Sequence, residues 1–167
     1  ERASREFLVA ASALKLPFAD GYFDVAISSG VIEHIGVVET PAPNYTVTAL
    51  PNQRELRVSY VRELGRVVRP GGRILLDFPH GRFPIDFWHG NAPGSVRFHL
   101  PTEGFLPSFR EVRRIANVAL GAVTVLPRSP RNRLQFKQSS AHLHGRILRV
   151  PAALLFWLME KPMFRWL

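Results

Sequence analysis

The sequence predicts an α/β domain built on a mostly parallel sheet, and three observations carry that prediction. Phe23-Asp24-Val25-Ala26-Ile27-Ser28-Ser29-Gly30 and Arg73-Ile74-Leu75-Leu76-Asp77-Phe78 are short apolar runs bounded by turn residues, as buried strands are. Between them Leu56, Tyr60, Val61, Leu64, Val67 and Val68 recur at helical spacing. Strand, helix and strand in that order make a parallel βαβ unit.

Taken in order, the apolar run Phe7-Leu8-Val9-Ala10-Ala11 reads as a strand or the end of one, and Asp20-Gly21 is a turn signal before the first clear strand. Residues 39–53, with three prolines, Asn44, Asn52 and several threonines, read as an insertion loop. The helix spans about 53–68. Pro70 ends it, because proline has no N–H to give and clashes with the preceding turn, and Gly71-Gly72 complete a tight turn into the second strand. Residues 79–106 form a long loop rich in Gly, Pro, His and aromatics, a composition that argues for function over disorder. Ser108 and Glu111 have capping-box spacing and open a helix that Gly121 stops near Leu120. Ala122-Val123-Thr124-Val125-Leu126 reads as a third strand, and Arg133-Leu134-Gln135-Phe136-Lys137 as a weaker candidate for a last one. Residues 1–146 are assigned to one domain and 147–167 to an apolar, basic C-terminal helix. The opening on Glu1 and the apolar close at Phe164-Arg165-Trp166-Leu167 are expected of a fragment.

Composition narrows the chemistry. The 167 residues contain no cysteine, which excludes disulfides, zinc–thiolate sites and cysteine nucleophiles and suits a cytoplasmic protein. The net charge of +9 is unevenly placed. Residues 1–80 hold nine Lys/Arg and nine Asp/Glu, leaving 22 − 9 = 13 against 13 − 9 = 4 in residues 81–167. A basic half of this kind suits an anionic partner or a solvated basic face. No G-x-x-x-x-G-K-[ST] run occurs, so Asp77 at a strand end is not read as part of a nucleotide-hydrolysing site.

Three segments, in this order and spacing, resemble the class I S-adenosylmethionine-dependent methyltransferase family in its small-molecule, type 11-like branch. Leu16-Pro17-Phe18-Ala19-Asp20-Gly21-Tyr22-Phe23-Asp24-Val25 looks like the connection from the family's third strand to its fourth. Ser28-Ser29-Gly30-Val31-Ile32-Glu33-His34-Ile35 resembles the end of the fourth strand and its sequel. Glu63-Leu64-Gly65-Arg66-Val67-Val68-Arg69-Pro70-Gly71-Gly72 resembles the approach to the fifth. The match covers about residues 5–80. It implies a Rossmann-like sheet, incomplete at the N-terminus, with the ligand beyond the carboxyl ends of the strands.

The resemblance implies S-adenosylmethionine as cofactor, with Ser12, Ala13 and Leu14 bordering the adenine and Ser28, Ser29 and Gly30 bordering the strand-four rim. The family usually places an acidic residue where Ser12 stands. No G-x-G-x-G run is present, so these residues alone are expected to bind the cofactor poorly and the fragment to be inactive.

Methyl transfer is a displacement at an activated sulfonium, needing alignment and sometimes a base. His34 follows the strand-four loop; His89 and His99 lie in the long loop after strand five. These three are the candidates for orienting or deprotonating an acceptor, with Trp88 and Phe98 as walls of its pocket. Glu33 reads as a cap or loop anchor. No metal site is assigned, for want of a firm carboxylate partner to the histidines.

The acceptor is read as a small molecule or a glycan- or lipid-linked one. Nucleic acid is disfavoured, because Ser28-Ser29-Gly30-Val31 stands where an amide-activating N-P-P-Y-like motif would be. Residues 147–167 pair a short apolar centre with Arg146, Arg149, Lys161 and Arg165 and with Trp157 and Trp166, which suits either packing on the sheet or peripheral contact with an anionic membrane. Two other functions stay open: a nucleotide-cofactor oxidoreductase, and a noncatalytic, membrane-associated binding module with a degenerate cofactor site.

Overall fold

A computed structural model describes residues 8–40, 45–86, 89–90 and 97–126, together with Leu154 and Trp157. The chain divides into two compact units, residues 1–123 and 124–167. In the second, Leu154 and Trp157 are helical and exposed. The candidate strand 133–137 and the rest of the C-terminal segment lie outside the described residues.

The βαβ unit forms as the sequence expects. Strand β1 (Phe23–Ser29) leads through a 3-10 turn at Ile32–His34 to an antiparallel hairpin, β2 (Val37–Thr40) and β3 (Thr46–Ala49). Helix α1 (Gln53–Val67) then crosses back, and β4 (Val68–Asp77) pairs parallel with β1. From Val25↔Arg73 to Ser29↔Asp77 the register is regular. Before that Phe23 faces Val68, so β4 carries surplus residues there. The surplus holds Pro70-Gly71-Gly72, with Gly71 at φ 77°. A Cβ on Gly72 would lie 2.7 Å from the Asp24 carbonyl oxygen, so the expected tight turn is a bulge that only a bare backbone allows.

Several expectations are corrected. Residues 8–11 form no strand, and Leu8 is fully exposed. Residues 122–126 form none either, and Val123 and Leu126 are exposed. Both runs have strand-like composition but no described neighbour to hydrogen-bond, and β-propensity does not act without one. The 39–53 loop holds much of the β2–β3 hairpin: its β-branched Val and Thr pair across, and Pro51 falls in the turn between β3 and α1. The 79–106 loop contains a short antiparallel pair, β5 (Ile85–Asp86) with β6 (Arg97–Phe98), and a 3-10 turn at Pro101–Glu103. Strand β1 is not buried on both faces, since Val25 and Ile27 are exposed.

Helix α2 (Phe109–Leu120) starts at the predicted cap, where the Ser108 hydroxyl accepts from the Glu111 N–H at 3.2 Å. It packs against α1. Val58, Tyr60, Val61, Leu64 and Val67 of α1 join Val112, Ile115 and Ala116 of α2 in a core closed by Ile32, Phe105 and Leu106. Arg57 is wholly buried within it. Its guanidinium donates to the carbonyls of Phe105 at 2.6 Å and Glu33 at 3.2 Å and pairs with Glu111 at 2.9 Å. Burial lowers the Arg57 pKa, and the Glu111 carboxylate opposes that shift.

A second arginine fastens the segment that precedes β1. Arg66 donates to the carbonyls of Leu16 at 3.0 Å and Phe18 at 2.8 Å, to Asp20 at 2.6 Å, and to both oxygens of Glu63. Glu63 also accepts from the Leu16 N–H at 2.7 Å, and the Arg66 hydrogen bonds hold its carboxyl down at about 2.

Candidate functional site

The carboxyl ends of β1 and β4 meet at one edge, where open α/β sheets place ligands. Gly30 turns away from β1 at φ 63°, and its N–H donates to the Asp77 carbonyl at 2.9 Å. The Ser29 hydroxyl donates to the Asp77 carboxylate at 2.9 Å. Beyond this junction opens a cavity of about 330 Å³ lined by Ser29, Gly30, Glu33, His34, Asp77, Phe78, Pro79 and His89. That volume is at the lower end of small-molecule sites.

The predicted rim residues divide by strand alternation. Ser29 and Gly30 line the cavity. Ser28 points the other way, is buried, and shares a short 2.5 Å hydrogen bond with the Tyr60 hydroxyl on α1. Ser12, Ala13 and Leu14 are not among the lining residues. They form a turn in which the Ser12 hydroxyl accepts from the Leu14 N–H at 3.2 Å and the Ser12 carbonyl from the Lys15 N–H at 3.0 Å.

Two of the three candidate histidines are brought together. Their Nε2 atoms lie 3.3 Å apart. Each ring has a carboxylate behind it: His34 Nδ1 is 2.5 Å from Glu39, which leans across from β2, and His89 Nδ1 is 2.7 Å from the fully buried Asp86 at the end of β5. The Asp86 carboxylate also accepts from the His89 N–H at 3.2 Å. Where both rings are neutral and both Nδ1 atoms donate, each Nε2 keeps a lone pair, and the two lone pairs face one another. Phe105 walls the pair, with its ring centroid 5.7 Å from that of His34 and 4.8 Å from that of His89. Tyr45 stacks on His89 at 6.0 Å and donates to Glu39 at 2.8 Å.

The electrostatics follow from burial and these bonds. Glu33 is 1% exposed, its Oε2 has no hydrogen-bond partner, and burial raises its pKa. Burial works to raise Glu39 as well, but the hydrogen bonds from His34 and Tyr45 outweigh it and hold the carboxyl below its usual range. Burial and then the Glu39 carboxylate keep the Tyr45 phenol high.

His99 is placed elsewhere. It is buried, its Nε2 lies 2.6 Å from the Phe83 carbonyl, and its N–H donates to the Pro84 carbonyl at 3.1 Å, which ties β6 to the segment before β5. Phe98, expected as a pocket wall, is 74% exposed and does not line the cavity. Trp88 lies outside the described residues. Glu39, Tyr45 and Asp77 were not expected at the site. The spacing of Asp86 and His89 was a usable local signal; the approach of Glu39 to His34 depends on the hairpin and left none.

Residues 1–76 match the family model described as a methyltransferase domain. No curated protein and no solved structure matches the chain.

Proposed function

We propose that this chain, whose residues 1–76 match the methyltransferase domain family, is a methyltransferase that takes its methyl group from S-adenosylmethionine and passes it to a small-molecule, glycan-linked or lipid-linked acceptor. One observation carries the reading. The cavity at the carboxyl ends of β1 and β4 sets a glycine turn and two carboxylates beside a pair of carboxylate-backed histidines.

The residues present suit the methyl-bearing end of that cofactor. Glu33 and Asp77 bring carboxyl oxygens to the cavity where a sulfonium would lie, and Gly30, at φ 63°, offers it bare backbone. Bound there, S-adenosylmethionine supplies an electrophilic methyl group. Ser29 and Gly30 would border it, while the exposed turn at Ser12, Ala13 and Leu14 would meet the adenine. His34 and His89 would face the acceptor, each with a carboxylate fixing its tautomer so that Nε2 can take a hydroxyl proton. His99, committed to the Phe83 carbonyl, would act by holding the loop.

Without a G-x-G-x-G run, affinity of these 167 residues for the cofactor is expected to be weak and turnover low. The test is amide chemical-shift mapping with S-adenosylhomocysteine at concentrations on the order of 1 mM, where binding free energy is only about 4 kcal/mol. Shifts at Ser29, Gly30 and residues 12–14 are expected. Silence at the strand ends would sink the cofactor placement, and submicromolar affinity would overturn the expected weakness.

The basic excess in residues 81–167 supports a peripheral contact with anionic lipid through residues 147–167 in a cytoplasmic protein. Among the described residues no helix is long and apolar enough to cross a membrane. Equal sedimentation with anionic vesicles, with and without residues 147–167, would remove that part of the proposal.

A further inference from the structure

We propose that Glu33, His34 and His89 form a binding site for a divalent first-row transition-metal ion of the zinc or manganese class. One ligand atom from each residue falls in a cluster no wider than 4.8 Å. Two imidazoles and one carboxylate are a recurrent donor set for such ions, which keep further positions open for water or substrate.

The distances favour an ion over a simple contact. Two nitrogens bound to one tetrahedral ion at about 2.05 Å stand about 3.3 Å apart. The two Nε2 atoms are 3.3 Å apart. Facing lone pairs at that distance repel unless a cation lies between them, and the Nδ1 bonds to Glu39 and Asp86 leave no ring proton to do so while both imidazoles are neutral.

Those carboxylates also supply the outer support that ligating histidines ordinarily have: a partner on the far nitrogen that fixes the ring and raises its basicity. Glu33 provides the third donor. Its Oε2 is buried without a hydrogen-bond partner and its side chain lines the same cavity, an arrangement that costs free energy unless something binds there. Ligands on one ion sit closer than 4.8 Å, so the Glu33 carboxyl closes by a movement on the order of 1 Å or meets the ion through a water.

Ser29, Gly30 and Asp77 line the same cavity as the three donors. If methyl transfer to an oxygen is the reaction, a coordinated acceptor hydroxyl loses its proton more readily, and the histidines act as ligands instead of bases. That consequence rests on the function proposed above; the site itself does not.

The experiment is titration of the whole chain, stripped with chelator, by calorimetry with Zn²⁺ and by visible absorption with Co²⁺, neither cofactor nor acceptor being present. One ion per chain is expected, with Co²⁺ bands typical of nitrogen–oxygen coordination at low coordination number. H34A, on the partly exposed histidine, should weaken binding by more than the roughly 10–100-fold expected of D86N, which removes only the support behind His89. Circular dichroism checks that each variant is folded, and the Co²⁺ spectrum of the unsubstituted protein keeps the test alive should H89A or E33Q unfold. No saturable binding, or binding that H34A and D86N leave unchanged, overturns the proposal and leaves a proton shared between the rings. Ion binding without methyl transfer would fail only the reaction proposed above.

Discussion

Replacing Arg57 by methionine tests whether the core is organised around a buried cation. The side chain is wholly buried, and its donors satisfy two main-chain carbonyls, those of Glu33 and Phe105, as well as the Glu111 carboxylate. Methionine fills most of the volume but donates nothing. The Glu111 carboxylate left behind is 40% exposed, so water can take over its charge and the lost ion pair itself adds little. Each buried carbonyl left unpaired costs roughly 1–3 kcal/mol, less where water can reach a loosened turn. The two together give a working estimate of about 2–4 kcal/mol, or a melting point lowered by about 4–16 °C for a chain of this size. Thermal melts followed by circular dichroism, with urea titration to confirm an unchanged slope, measure it. Arg62→Met is the control: Arg62 is an exposed arginine on the same helix, and its loss should stay within about 0.5 kcal/mol. If the Arg57 and Arg62 variants melt together, the Glu33 and Phe105 carbonyls are held by something other than Arg57 and the reasoning fails.

Two further outcomes are expected. Gly81→Ala would place a Cβ 2.0 Å from the Leu106 carbonyl oxygen, where only backbone can yield, so it should cost about 1–3 kcal/mol by denaturant titration; an unchanged midpoint would show the two segments free to separate. His80 has its pKa lowered below the ordinary 6.5 by burial and then by Arg82. A lowered histidine pKa means the folded state binds fewer protons than the unfolded one, so stability present above pH 6.5 should fall as pH drops through that value toward the folded pKa. His80→Gln should flatten that part of the curve of melting temperature against pH, and an unaltered curve would assign the loss to another group.

The β1–α1–β4 unit was legible because its signals are local: two apolar runs and one helical repeat, punctuated by Asp20-Gly21 and Pro70-Gly71. The cap at Ser108 was legible for the same reason. The runs at 8–11 and 122–126 misled because composition reports what a strand is made of and not whether a neighbour exists. At the site, Ser29, Gly30, His34 and His89 could be named one at a time. Their assembly could not, since His34 and His89 are 55 positions apart and meet only after the 3-10 turn and the β5 segment are in place. Glu33 was read as a cap because nothing in a sequence distinguishes a solvated carboxylate from a buried one with an unpartnered oxygen.

The fork of Arg66 determines what its position can tolerate. Its five donors leave a planar group in fixed directions and reach two carbonyls, Asp20 and both Glu63 oxygens together. A lysine would carry the same charge on a single point, with three donors converging on one atom, and could not span acceptors spread over Leu16 to Asp20. The stretch leading into β1 is thus keyed to a shape and not to a charge. A charge-conserving exchange at residue 66 should release residues 16–20 to amide hydrogen exchange while α1 keeps its own protection.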